Sequence, residues 1–426
     1  MGSLYISPST LQGEVTIPPS KSHTLRALFF AMLGTGKTVI ENPLHSTDSK
    51  AMIQAITQFG AKVSLADGDL HVEGGFNPAE NIIDAGNSGL VYRFIAGIAA
   101  LLPSYTLITG DSSIRTRRPI TPLLGALNQL GGVAESARGD GHAPILIKGP
   151  IQAGKCTLSG SDSQPVSALL NAASFLEGVT EIFVEEPKET PWIDLTLGWL
   201  ARLGANVEHA DYTHYRVEGG LAYEGFSYKV PGDFSTAAFP LAAALVTQSP
   251  LTIHGLDPSD SQGDKVLIEI LQEMKANIHW ESDQLIVFPS PNLEGISIDL
   301  DRGIDMLPIL AVLGCFAKGT TTLYNGAIAR KKETDRISSI ATELKKMGAS
   351  IEERPDGLII YQSELKGAKL DAHADHRIGM SLAVAALGAK GSSELSGAEW
   401  IGKTYPGFAN DIQKLGGKIE LDPLRV

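Results

Sequence analysis

"QFGAKV", Gln58–Val63, reads as the end of one element and the start of the next: Gly60 suits the left-handed cap of a helix, and a strand follows it. The same ending recurs as "QLGGVA" (Gln129–Ala134), "RLGANV" (Arg202–Val207), "KMGASI" (Lys346–Ile351) and "KLGGKI" (Lys414–Ile419), with a degenerate "EMKANI" (Glu273–Ile278) in the fourth place. The stops fall at Gly60, Gly131, Gly204, Lys275, Gly348 and Gly416, at intervals of 71, 73, 71, 73 and 68 residues. Six copies of one unit therefore fill the chain, since 426/6 = 71.

Within the first copy the order is strand "GEVTIPP", helix "SHTLRALFFAML", strand "KTVIENP", helix "DSKAMIQAITQF", then strands "KVSLA" and "LHVEG" across the turn "DGD". The fifth copy repeats this βαβαββ order from "ISIDL" to "LIIYQ", and the sixth lacks the end of its final hairpin. A unit of about 70 residues buries too little surface to be stable alone, so the copies should pack together, three plus three. "VPGDFS", Val230–Ser235, is the natural boundary.

The chain has 426 residues, 43% of them hydrophobic, enough for two domains. Its longest apolar runs, such as "LPILAVLGCFA" (Leu307–Ala317), fall short of the roughly 18 residues of a membrane span, so no membrane association is expected. "MGSLYIS" lacks the basic and apolar regions of a secretory signal, and a cytoplasmic location is expected. With 48 acidic against 35 basic residues and a net charge of −13, nucleic acid is not an expected partner. Cys156 and Cys315 lie far apart in apolar surroundings and read as buried thiols; no metal site is expected.

Against this acidic background the cations are concentrated at the strand-to-helix turns. First helices begin near Ser22, Ser88, Ser163, Asp233, Asp305 and Asp375, and second helices near Thr47, Arg118, Thr190, Ser261, Glu333 and Thr404. A helix N-terminus carries unpaired N–H groups and about half a positive charge, a natural place for phosphate or carboxylate. "SKSHTLR" supplies Lys21, Ser22 as a cap, and Arg26 on the same helix face, although a capped helix with an arginine stem lying on apolar surface would account for it alone. "AGNSGLVYRF" repeats the arrangement with Asn87, Gly89 and Arg93. "SIRTRRPI" sets Arg115, Arg117 and Arg118 before Pro119, read as the first residue of a helix, where three cations would oppose the dipole unless an anion offsets them. "ARKKETDR" adds Lys332, Glu333 and Arg336, "HADHRIG" adds Asp375, His376 and Arg377, and "IGKTYPG" adds Lys403. "GTGKT" at Gly34–Thr38 is a helix stop, because the order is helix then strand, the reverse of a phosphate loop.

In combination and order, "KSHTLR", "GNSG" with Arg93, "RRP", Ser163–Gln164, Asp305, "KETDR", "DHR" and "GKTYP" resemble the 5-enolpyruvylshikimate-3-phosphate synthases, a family of enolpyruvyl transferases, over essentially the whole chain. The resemblance implies an inside-out α/β barrel of two domains, each of three βαβαββ units: 1–19 plus 232–426, and 20–231, with crossings near 15–20 and 230–235. It implies transfer of the enolpyruvyl group of phosphoenolpyruvate to the 5-hydroxyl of shikimate 3-phosphate by addition and elimination, with no cofactor and a monomeric enzyme. Lys21, Ser22, Arg26, Ser163, Gln164, Asp305 and Lys332 would hold shikimate 3-phosphate. Lys21, Asn87, Gly89, Arg118, Gln164, Arg336, Arg377 and Lys403 would meet phosphoenolpyruvate. Asp305 and Glu333 would form the acid/base pair, with Lys21 sharing the proton traffic.

The chain departs from the family pattern at Asp162, Glu189, Trp192, Ile328, Leu90 and Phe94. A carboxylate at Asp162 would repel a phosphate unless it turns away or pairs with a cation. The "SIRTRRP" loop is one residue longer than usual, so Arg117 or Arg118 could hold the ligand position. The nearest rival is the UDP-N-acetylglucosamine enolpyruvyl transferase, which carries a cysteine on the loop matching Ser113–Pro119, where this chain has none. A non-catalytic anion-binding protein of the same fold is the rival of a different class.

Overall fold

The computed structural model describes residues 2–421. They form six four-stranded mixed α/β sheets with one shared strand order. In the sheet around Val179–Glu185, the strand Lys155–Ser159 lies parallel on one side, His214–Glu218 antiparallel on the other, and Asn206–Ala210 at the far edge. The sheets centred on Tyr105–Thr109 and Thr320–Tyr324 repeat this order from strands local to their own copies.

The other three sheets are completed by strands from elsewhere, which corrects the reading of the first copy. Gly13–Thr16 does not pair with Lys37–Glu41; it runs parallel to Leu251–His254. The vacant edge beside Lys37–Glu41 is taken by Ser227–Lys229. Ser3–Ser7 runs antiparallel between Ser393–Ser396 and Lys418–Leu421, supplying the hairpin strand that the sixth copy lacks. Alternation along a strand fixes which side chains face the core but not which sheet edge receives its backbone. Two compact units result, one of Ser20–Val230 and one of the residues up to Pro19 together with those from Pro231.

The repeat register is borne out at the helix stops. Gly60, Gly131, Gly204, Gly348 and Gly416 all have positive φ, and Lys275 adopts the same left-handed conformation at φ 69° without being glycine. Helix starts shift more. Second helices begin at Thr47 and Thr190 as read, but the others begin at Thr121, Val266, Arg336 and Phe408, because a short helix, 3-10 turns or an irregular turn precede them.

The first helices are the buried ones. Every residue of Gly89–Ala99 is buried, as is every residue of Phe234–Val246, while a second helix such as Arg336–Lys346 buries one face. Gly89–Ala99 and Ser163–Ala173 pack so closely that a Cβ on Gly97 would come within 2.8 Å of the Ala168 carbonyl oxygen. Such helices have polar groups chiefly at their N-termini. Ser20, Ser88, Asp162, Asp233 and Asp375 cap five of the six by accepting backbone N–H bonds.

Candidate active site

In the unit Ser20–Val230 the turns gather around Gly89, the first residue of its helix. A Cβ there would lie 2.9 Å from Arg93 Nη1, 3.1 Å from Gln164 Oε1 and 3.2 Å from Arg118 Nη1. Arg93 donates to Gln164 Oε1 (3.2 Å) and to the carbonyls of Gly89 and Pro119, and pairs with Asp162 at 2.9 Å. That pairing is how the unexpected carboxylate at Asp162 is accommodated, besides capping Gln164 N. Arg118 donates to the Asn87 carbonyl (3.2 Å), and Asn87 Nδ2 donates to Asp111 (2.6 Å) and Ser113 Oγ. Burial alone would push Asp111 up, but the hydrogen bonds it accepts from Asn87 Nδ2, Ile114 N and Ser113 Oγ, together with the Arg118 charge, hold it below the usual carboxylate range.

Lys21 lies 3.6 Å from Asp48, whose same oxygen accepts from Ser88 Oγ. Ser163 donates its N–H and Oγ to buried Glu189. Arg26 does not snorkel. Its buried guanidinium donates to Thr196 Oγ1 (2.8 Å) and the carbonyls of Ser22 and Trp192, and lies 5.1 Å from the Phe94 ring centroid. Burial pulls its pKa down to about 9.

Two local readings need correction. Ser20, not Ser22, caps the helix Lys21–Leu33, since its Oγ accepts from His23 N. Arg115 and Arg117 do not crowd a helix N-terminus: a short helix, Ser112–Thr116, ends on them, where cations complement the dipole. The next helix starts at Thr121 with Pro122, not Pro119, in its first turn. Of the two candidate arginines, Arg118 is buried beside Asn87 and Gly89, whereas Arg117 is exposed.

The second unit carries a denser cluster. Arg336 is 1% exposed and meets three carboxylates: Asp305 at 2.6 Å, Asp375 at 2.7 Å and Glu333 at 2.8 Å. Lys403 grips the other Glu333 oxygen at 2.9 Å, and Arg377 the other Asp305 oxygen at 3.0 Å while donating to Ser235 Oγ. Burial would push Asp305 up, but Arg377, Arg336 and Lys332 outweigh it and hold the carboxyl well below the usual range. Burial would lower Arg336, but Asp375, Glu333 and Asp305 reverse the shift.

The structure thus joins Asn87, Gly89, Arg118 and Gln164 around one turn, with Lys21 linked to the same helix cap through Asp48. It joins Asp305, Glu333, Arg336, Arg377 and Lys403 in another cluster, with Lys332 close enough to act on Asp305. Arg26 is bound to the helix Thr190–Arg202 instead. Sequence reasoning misses Asp48, Asp111 and Asp264. Asp48 and Asp264 lie within three residues of a repeat start, so the repeat could flag them, but a turn suited to anions draws attention to its cations rather than its carboxylates.

The family described as EPSP synthase (3-phosphoshikimate 1-carboxyvinyltransferase) matches residues 6–412. A 3-phosphoshikimate 1-carboxyvinyltransferase of Chlamydia caviae is 45% identical over 97% of this chain and 94% of its own length. One from Ruminiclostridium cellulolyticum is 42% identical over 98% and 99%. A solved EPSP synthase from Acinetobacter baumannii superposes with a TM-score of 0.84 at 26% identity, covering 99% of this chain and all of that one.

Proposed function

The chain belongs to the EPSP synthase family and is a transferase of enolpyruvyl groups in the shikimate pathway, and from that premise we propose how its own residues perform the reaction. The observation that carries the proposal is the cluster in which Arg336, Arg377 and Lys403 hold Asp305 and Glu333. Phosphoenolpyruvate brings a carboxylate and a phosphate. When these take the three cations, Asp305 and Glu333 lose their counter-charges and their pKa values rise toward the range where protons move at neutral pH.

A proton then passes to C3 of phosphoenolpyruvate, making C2 electrophilic. The 5-hydroxyl of shikimate 3-phosphate adds to C2 as its proton goes to the second carboxylate. Loss of phosphate and of a C3 proton from the tetrahedral adduct restores the enol ether. Lys21 shares the proton traffic, and no step calls for a cofactor or a covalent enzyme intermediate. Lys21, Asn87, Gly89, Arg118 and Gln164 complete the phosphoenolpyruvate contacts. Shikimate 3-phosphate is held by Lys21, Ser22, Arg26, Ser163, Gln164, Asp305 and Lys332. Binding both substrates together removes much of the entropic barrier.

We also take the fold to be the inside-out α/β barrel, three βαβαββ units in each of two domains, a reading supported by the complete burial of the first helices Gly89–Ala99 and Phe234–Val246 and by sheets with exposed residues such as Tyr105 and Phe183. A cytoplasmic monomer completes the proposal. Phosphate release is the test: the protein mixed with phosphoenolpyruvate and shikimate 3-phosphate should release phosphate, and with phosphoenolpyruvate and UDP-N-acetylglucosamine it should not. Release only in the second mixture would identify the rival transferase, and release in neither a non-catalytic binder.

A further inference from the structure

Asp264 lies on the 3-10 turn Gly263–Lys265, 72 residues before Arg336 and so at the matching turn of the preceding copy. It is 1% exposed, yet neither carboxyl oxygen has a hydrogen-bond partner among the described residues. Gln262 fixes the turn, its amide accepting from Phe234 N and donating to the Gly232 carbonyl. Oδ1 faces the Gly303 backbone that leads into Asp305, since a Cβ built on Gly303 would lie 3.4 Å from it.

The charged groups acting on Asp264 are Arg377 on His376–Gly388, Asp305, Asp233 at the cap of Phe234–Val246, and Arg336 on Arg336–Lys346; the helix Val266–Glu273, which follows the turn directly, turns Glu269 toward Arg302 instead. Lys265, beside it in sequence, turns its ammonium to the carbonyls of Pro258 and Asp260. Arg336 is engaged by Asp305, Glu333 and Asp375, and Arg377 by Asp305 and Ser235 through Nη2, while the buried Arg377 Nε has no hydrogen-bond partner among the described residues. Arg336, Arg377 and Lys403 are already engaged by Asp305, Glu333 and Asp375, Lys332 also acts on Asp305, and buried Asp233 adds a further carboxylate beside Asp264. Ionised, Asp264 would be one more carboxylate in this dry setting with no hydrogen bond to either oxygen among the described residues, which is costly.

We propose that Asp264 is a positioning residue for the donor end of the site: a carboxylic acid kept neutral behind the Arg377–Asp305 pair, so that Arg377 remains available to an anionic ligand. The inference rests on the reading that Arg377 meets phosphoenolpyruvate. Burial pushes the Asp264 pKa up to about 8, with Asp305 and Asp233 adding to the rise and Arg377 and Arg336 opposing it. Once ionised, Asp264 competes with the ligand for Arg377. The competent fraction then falls tenfold for each pH unit above that value, and the apparent KM rises by the same factor.

Two measurements test this. In the wild-type chain labelled with 13C at its aspartate carboxyl carbons, one resonance should titrate near pH 8; if every aspartate is ionised by pH 6, the proposal is overturned. The KM for phosphoenolpyruvate should rise about tenfold from pH 7 to pH 9 in the wild type. In Asp264→Asn, neutral at every pH, KM at pH 9 should match that variant's own value at pH 7. An equal alkaline rise in both proteins would refute the role. The resonance measurement needs neither variant nor turnover, so a chain that transfers no enolpyruvyl group would sink the assigned reaction while still leaving Asp264 to be judged.

Discussion

Arg93 and Arg118 in the unit Ser20–Val230 donate to the backbone carbonyls of Gly89, Pro119 and Asn87, with Asp162 the carboxylate partner of Arg93. Arg336, Arg377 and Lys403, at the corresponding strand-to-helix turns of the other unit, are met by Asp305, Glu333 and Asp375. The carbonyls orient these guanidinium groups without cancelling their charge, and the carboxylates nearby, Asp162 at Arg93 and Asp111 within the field of Arg118, are not shared among several cations as Asp305 and Glu333 are. Carboxylates cancel the charge, so in the reaction proposed above an arriving anion would have to displace them, and the displaced carboxylates would become able to accept protons. On the mechanism proposed above, one repeated turn would serve in two ways, for holding charge and for releasing acid/base groups.

Removing the cation at the centre of the matched cluster should have the largest effect. Arg336→Met leaves Asp305, Glu333 and Asp375 without their common partner, two of them below a tenth exposed as side chains. Breaking one side of a buried ion pair costs about 3–5 kcal/mol. Denaturation should show a loss of that order, and turnover should fall by at least about 10²–10³, the effect of losing one well-placed donor. A variant with wild-type stability would mean that the three carboxylates are not held by Arg336, and the contrast between the two units would dissolve.

Lys21→Met probes the other kind of site. The Lys21–Asp48 pair is longer, at 3.6 Å, and the lysine side chain is 17% exposed. Because the Asp48 side chain is only 4% exposed, losing its cation should cost about 1–3 kcal/mol, less than at Arg336, while turnover falls about a hundredfold because the lost charge serves the ligand. A smaller stability loss than in Arg336→Met with a large drop in kcat would sharpen the distinction. Retained kcat would remove Lys21 from the machinery.

The positions that carry this contrast are legible in the sequence because the chain repeats. Gly60 and its equivalents set the register, and the register falls on Asn87, Arg118, Glu333, Arg336, Arg377 and Lys403. Two features are not local enough to read. Gly13–Thr16 has the pattern of a first strand but joins the sheet of Leu251–His254, a backbone pairing that leaves no mark on side-chain alternation. The helix ending at Thr116 hides inside "SIRTRRPI", because five residues are too few to show a helical period, and its cations therefore read as the start of the next helix. Asp264 escapes notice because an isolated aspartate in "SQGDK" resembles any polar turn; only burial distinguishes it.

Gly89→Ala should act on binding and leave the fold in place. Alanine favours a helix over glycine by about 1 kcal/mol, so the backbone gains. The methyl, however, would approach Arg93 Nη1 to 2.9 Å and Arg118 Nη1 to 3.2 Å, and both side chains are fixed by carbonyl acceptors. One or both must move by some tenths of an ångström. The expected result is a KM for phosphoenolpyruvate raised about tenfold, equivalent to about 1.4 kcal/mol, with a denaturation midpoint close to wild type. An unchanged KM would show that Arg93 and Arg118 tolerate the shift and that the carbonyl-held cations are less rigid than the comparison requires.

The smallest effect on catalysis is expected where neither kind of charge is touched. Cys156 is buried on the strand Lys155–Ser159, and Cys315 on the helix Leu307–Phe316 with its Sγ donating to the Ala311 carbonyl at 3.4 Å. Burial pushes both thiols up to about 12, so neither is a thiolate at neutral pH. In Cys156→Ser with Cys315→Ser, the serine at 315 can donate to the same carbonyl one turn back. At 156 the nearest acceptor, the Glu181 carbonyl, is 4.0 Å from sulfur and beyond the reach of a hydroxyl without rearrangement. The pair should therefore lose about 1–3 kcal/mol of stability, mostly from position 156, with kcat and KM within about twofold of wild type. A folded double variant that had lost its turnover would place a thiol in the chemistry, and would favour the cysteine-bearing UDP-N-acetylglucosamine transferase over the mechanism built on Asp305 and Glu333.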